Sequence, residues 1–192
     1  MVSMKYTKST FLLVGNNLAM DFINTELASQ EGSINLLATE QDVHDWAEQV
    51  GIHLSEENNA LDMAAIWSLR TALRALMVNQ VDQRTWSIEA MEVLNIWLPL
   101  APHQQQLRFD DGQLALQPLS EALTSEQLLG KIAQAGAELL TSPLSAQIKR
   151  CSNEKCILMF VDTSRSRKRR WCSMEHCGNR AKAANFYHAN KS

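Results

Sequence analysis

All four cysteines of the 192-residue chain fall within one short stretch, as Cys151-x4-Cys156, a fifteen-residue loop, and Cys172-x4-Cys177. Two equal pairs separated by a loop suit a tetrahedral thiolate site. Each pair supplies two ligands from a tight turn, and the loop lets the turns face each other. Zinc fits four thiolates because it has no redox chemistry and no d-electron geometric preference. Four protein ligands leave no position for a substrate water, so the expected Zn2+ is structural, and its binding would largely fold so small a module. His176, beside Cys177, is expected at the surface or behind the ligands. Two disulfides, an iron–sulfur cluster or a redox-responsive zinc site would use the same residue type. Iron–sulfur clusters usually have other spacings, and structural disulfides are rare in the cytoplasm.

Between the pairs runs SRSRKRRW, residues 164–171, with five cations among eight residues. Arginine is favoured over lysine, which suits planar, bidentate contact with phosphate or guanine edges. Arg180 and Lys182 follow on CGNRAKAANFYHAN, which predicts a short helix. A metal-stapled knuckle would hold loop and helix in fixed relation and turn a charge run into a shaped surface. The expected nucleic-acid contacts are therefore Arg165, Arg167, Lys168, Arg169, Arg170, Arg180 and Lys182. A solvated tail, or a clamp onto the chain's own acidic part, is the plainer use of these charges. Phe160 and Trp171 could stack on bases, but a small core beside the metal is the expected role.

The net charge of -3 conceals a split. Residues 149–192 carry eleven Lys/Arg and three acidic residues; the first 148 carry seven and eighteen. This describes an acidic body with a basic, anion-seeking tail. The N-terminal apolar run is broken by Gly15, Asn16 and Asn17, and no uninterrupted apolar run approaches a bilayer span. A cytoplasmic protein is expected, with no membrane partner. The five histidines form no HExxH spacing, and GxSxG, Walker-type and GxGxxG motifs are absent from the sequence. With the cysteines committed to metal, no enzyme is expected.

The elements that must position these residues are mostly helical. A short strand at 11–14 is expected to turn at Gly15-Asn16-Asn17 into a helical face of Leu18, Phe22 and Ile23. Thr39 and Asp42 predict a capped helix that Gly51 stops. A longer helix is expected from Ser55 to about Gln80, with another from Arg84 to Pro99. Trp67, Trp86 and Trp97 sit at helical spacing and are expected in the core. LRFDDGQLALQP predicts a β-hairpin turning at Asp111-Gly112. Thr124 opens a last helix to about Leu140, broken by Ser142-Pro143. The expected fold class is mainly α with a minor β-hairpin (α+β). A helical N-terminal domain (1–145) is followed by a small C-terminal four-cysteine zinc-binding module (146–192).

The motif Cys151-x4-Cys156…Phe160-x-Asp162-x-Ser164…Arg170-Trp171-Cys172-Ser173-Met174…Cys177-Gly178-Asn179-Arg180…Lys182 resembles the CGNR-type zinc finger. The body resembles the ABATE domain through Gly15…Asp21-Phe22-x-Asn24-Thr25 and Leu69-Arg70-x3-Arg74. That domain accompanies the finger in bacterial proteins described as stress-induced transcription regulators. The resemblance implies a bacterial, DNA-binding regulator in which the body senses a signal or mediates assembly. An RNA-binding module, or a module docking an acidic protein, is the alternative use of the same surface. One small finger offers little contact area, so specific DNA binding is expected to need a homodimer. Asn16, Asp21, Asn24, Thr25, Arg70 and Arg74 form the body's candidate polar cluster. Arg70 and Arg74 share a helix face, so an Asp21–Arg70 or Asp21–Arg74 pair is expected to tie two helices. A pocket for a small anionic effector is the other reading.

Overall fold

The computed structural model describes residues 11–30, 32–55, 60–103, 105–110, 112–118, 120 and 122–183. Helix α1 (Leu18–Ile23) starts where the Asn17 side chain accepts from the Ala19 and Met20 amides. Residues 11–14 form no strand, although Gly15 O accepts from Val161 N–H at 2.9 Å. A hairpin that periodicity did not predict follows: β1 (Glu26–Ser29) pairs antiparallel with β2 (Gly32–Asn35). Helix α2 (Glu40–Gln49) has the expected reciprocal cap between Thr39 and Asp42. Gly51, at φ +76°, takes the chain out of it.

Strand β3 (His53–Leu54) leads to α3 (Met63–Asp82), which is capped by Asp62 rather than by Ser55. The Ser55 amide instead donates to Leu123 O, beside the short parallel pair that β3 makes with a later strand. Gln83, at φ 51°, ends α3 by returning its N–H to Asn79 O and Gln80 O. Helix α4 (Ile88–Trp97) is capped by Ser87, three residues after the expected Arg84. The predicted hairpin is β4 (Gln105–Asp110) against β5 (Gln113–Pro118), with Gly112 in its turn; Asp111 lies outside the described residues. Strand β6 (Ala122–Leu123) is β3's partner. Helix α5 (Ser125–Thr141) carries a Thr124–Gln127 capping box. A 3-10 turn at Pro143–Gln147 then leads to β7 (Ile148–Arg150), paired antiparallel with β8 (Met159–Val161).

Helices α1, α3, α4 and α5 pack around one core. Two glycines of α5 permit close approach between the elements of this core. A Cβ on Gly136 would meet Leu73 Cδ2 at 2.3 Å, and one on Gly130 would meet the Ala101 backbone at 2.4 Å. Trp46 is the fully buried tryptophan, tilted against Phe22 with ring centroids 5.4 Å apart. Trp67 and Trp86, expected in the core, are 39% and 42% exposed, and Trp97 packs at the core's edge. Among the described residues no helix is long and apolar enough to cross a membrane.

The cysteine-bearing segment is not an appendage on a string. Ile148, Met159 and Val161 belong to the same apolar cluster as the helices. A second cluster joins Leu158, Phe160, Cys151, Cys172 and Cys177 to Leu27 of β1. The chain is therefore mainly helical with small strand pairs, and its four cysteines gather at the C-terminal side.

Candidate metal centre and basic surface

The centre is built from two turns. The Cys151 amide donates to Leu158 O as β7 ends. The chain then turns at Asn153, whose backbone and side-chain oxygens accept from Cys156 N–H and Lys155 N–H. Opposite, the Ser173 hydroxyl accepts from His176 N–H and its carbonyl from Cys177 and Gly178, closing a wide π-type turn at Met174–Gly178. The two turns bring all four Sγ atoms within 4.8 Å of one another, with Cys156 and Cys172 at 3.9 Å. Sulfurs bound tetrahedrally to one zinc at about 2.3 Å lie about 3.8 Å apart.

The surroundings suit thiolates. Cys172 N–H donates to Cys151 Sγ and Asn153 Nδ2–H donates to Cys177 Sγ, each at 3.4 Å. Such donors orient and stabilise metal-bound sulfur. Protons alone leave the thiols in conflict. The hydrogen bond shared by Cys156 and Cys172 pushes Cys156 down to about 5 and, together with burial, drives Cys172 far up. Burial pushes Cys177 up to about 11. A dication resolves this by allowing every thiol to ionise. The donor set fits structural Zn2+, and His176 stands outside it, half-buried.

The loop between the pairs is organised from inside by Asp162, which is 1% exposed. Its Oδ2 accepts from Lys149 Nζ at 2.6 Å and Arg169 N–H at 2.9 Å. Its Oδ1 accepts from Ser164 N–H and Oγ–H at 3.0 and 2.6 Å. Burial opposes its charge, yet Lys149 and Ser164 hold its carboxyl well below the usual carboxylate range. Lys149 Nζ also donates to Arg167 O.

Arg169 departs from its expected role. Its guanidinium donates to Val14 O, Trp171 O and Cys172 O and lies 4.1 Å from the Phe160 ring centroid. It is an internal brace, its guanidinium engaged by three backbone carbonyls. Phe160 is fully buried and Trp171 half-buried beside the cysteines, as the small core predicted. Arg165, Arg167, Lys168, Arg170, Arg180 and Lys182 are exposed, with Arg170 over the Trp171 ring at 5.2 Å. The helix expected after Cys177 continues through 179–183; its remainder lies outside the described residues.

Two family models match. One, the CGNR zinc finger, covers residues 147–189; the other, ABATE, described as "Putative stress-induced transcription regulator", covers residues 16–143. The chain belongs to the ABATE family. A comparison with curated proteins gave no match. The family's description is that of a regulator rather than an enzyme.

The ABATE body's polar residues hold the finger. Asn24, buried, makes a two-point bond with Met159: Nδ2–H donates to its carbonyl at 2.8 Å and Oδ1 accepts from its amide at 3.0 Å. Asn16 Nδ2–H donates to Val161 O and Thr163 Oγ1. Arg74 donates to Ile157 O of the finger and Ile23 O of the body, and pairs with Glu26 at 3.4 Å. Arg70 donates to Thr25 Oγ1 and Asn35 Oδ1. Asp21 therefore pairs with neither arginine. Its Oδ1 accepts from Gly15 N–H at 2.7 Å, because the tight turn brings that amide nearer than α3. Burial pushes Asp21 up to about 6, against the pull of the Gly15 and Val14 amides and of Arg169. The sequence missed Lys149, Asp162 and Arg169 as organisers. The Asp162-x-Ser164 pair was the available signal for an aspartate-centred turn.

Proposed function

We propose that this ABATE protein is a cytoplasmic, DNA-binding transcription regulator whose zinc-stapled finger presents Arg165, Arg167, Lys168, Arg170, Arg180 and Lys182 to duplex DNA. The carrying observation is that a strongly cationic loop is fastened to a buried aspartate, a thiolate cluster and the body's core. A floppy tail would have needed none of these. Metal ligation falls to Cys151, Cys156, Cys172 and Cys177. The body's role is assembly: it fixes the finger's orientation, with Asn16, Asn24 and Arg74 spent on that joint and Asp21, Thr25 and Arg70 on bonds within the body. A second copy supplies the contact area that one finger lacks. The exposed β4–β5 face of Leu107, Phe109 and Leu114 gives that copy an apolar surface.

The test is a salt series of the zinc-loaded protein on duplex DNA, with matched RNA, heparin and metal-stripped controls. Duplex preference, zinc dependence and two chains per duplex are expected. Arg165→Glu and Lys168→Glu should each weaken binding about ten-fold on every sequence and flatten the salt slope by about one. A preference for RNA would move the surface to the RNA-binding reading. Equal binding to heparin would make it a docking surface for acidic protein.

A further inference from the structure

A trough crosses the joint between finger and body. Its finger half, about 580 Å³, is lined by Lys149, Arg150, Ser152, Lys168, Arg169 and Arg170 over Val81 and Ile148. Its body half, about 530 Å³, shares Val81 and Ile148 and is walled by Asn79, Gln80, Gln83, Arg84 and Trp86. Val81 and Ile148 line both halves, so the two depressions adjoin.

The halves differ in chemistry. The finger half is strongly cationic. Asp162 and the Val14, Trp171 and Cys172 carbonyls engage Lys149 and Arg169, while Asp82 holds Arg150 at 2.8 Å; Lys168 and Arg170 remain exposed at the surface. The body half sits at the carbonyl end of α3, where the helix dipole is negative and repels anions. Asp82, the last residue of α3, adds to that field and pairs with Arg84 at 3.4 Å. Besides Arg84, whose charge Asp82 partners, the body half offers side-chain amides and a tryptophan that is 42% exposed. The exposed Lys168 and Arg170 make the finger half the end that draws an anion. An aromatic heterocycle with donors and acceptors on its edge matches the indole and amides.

We propose that this trough binds a nucleoside phosphate, with the phosphate on Lys168 and Arg170 and the base against Trp86 and the Gln83 and Gln80 amides. The same chemistry comes from two sources, a free nucleotide or one unpaired nucleotide of a nucleic-acid strand. The site shares Lys168 and Arg170 with the proposed duplex surface, but its body half contributes no part of that surface, so Trp86→Ala tests the trough alone.

The experiment titrates the zinc-loaded full chain with AMP, GMP, adenosine and inorganic phosphate, and separately with short single-stranded oligonucleotides, by calorimetry. Trp86→Ala and Lys168→Ala remove one determinant from each half; zinc content and Tm confirm that they fold as the parent does. Saturable binding is expected for nucleotides but at least ten-fold weaker for adenosine or phosphate alone. Trp86→Ala should lose about ten-fold for every nucleotide, and Lys168→Ala should lose affinity for AMP but not for adenosine. Mononucleotides binding as tightly as oligonucleotides identifies a free nucleotide; a large gain with oligonucleotides identifies a strand. No saturable binding to either, or binding that both variants leave unchanged, overturns the proposal. Duplex binding lost by Arg165→Glu would still stand on its own.

Discussion

At the residue scale, two aspartates carry opposite instructions about pH. Asp162 is held below its ordinary value of 3.8, so its contribution to stability is present above that value and is lost as pH falls further. Asp21 is raised from 3.8 to about 6, so its contribution is present below about 3.8 and is lost as pH rises through about 6. Asp21→Asn keeps an oxygen for the Gly15 amide but cannot ionise. The variant should therefore gain on the parent at pH 7, and that advantage should shrink as pH falls toward 4. Thermal melts of both proteins across this range check it; a Tm difference that stays constant with pH would sink the assignment to Asp21. Residue roles were legible where spacing alone fixes chemistry, as with the cysteine pairs. They were not legible where chain distant in sequence completes the site. Arg169 reads as one more surface cation until Val14, 155 residues away, presents its carbonyl.

At the scale of elements, β8 gains a partner that is a side chain. Asn24 pairs with Met159 as a neighbouring strand would, offering one donor and one acceptor, both buried. Truncation leaves a buried amide and a buried carbonyl without partners, at roughly 1–3 kcal/mol each when unmade. Asn24→Ala should therefore destabilise the fold by about 2–4 kcal/mol while leaving the thiol ligands in place. Urea unfolding of the zinc-loaded variant measures this, and a loss under about 0.5 kcal/mol, the range of ordinary surface changes, would show that water replaces Asn24 at no cost. The same element explains what sequence reading missed. Helices α2 and α5 announce themselves through local capping residues, and the β4–β5 hairpin through alternation about its turn. The β1–β2 hairpin has one buried residue, Leu27, that meets the finger's core, so its apolar signal is weak in isolation. The two-residue β3–β6 pair joins positions 69 apart and has no local signal to read.

At the scale of the molecule, the question is whether the metal module can unfold alone. Composition draws a line between an acidic body and a basic tail, and a small polar module held by zinc ordinarily gains or loses its structure with the metal. The packing crosses that line twice. Met159 and Val161 complete the helical core, and Leu27 completes the cysteine cluster. Hydrogen bonds from Asn16, Asn24 and Arg74 cross it as well. Releasing the finger would therefore open the floor of the body's core and strand the buried Asn24 at the end of α1. Removing zinc with a strong chelator should lower the Tm of the whole chain by more than about 10 °C. One cooperative transition should persist, followed equally by far-ultraviolet circular dichroism and by the tryptophan fluorescence that buried Trp46 contributes to. A finger that merely hangs from the body would behave differently. Chelation would then abolish a small early transition and leave the helical melt where it was. In that case the body would act as an independent unit, and the polar residues that bridge to the finger would need another explanation.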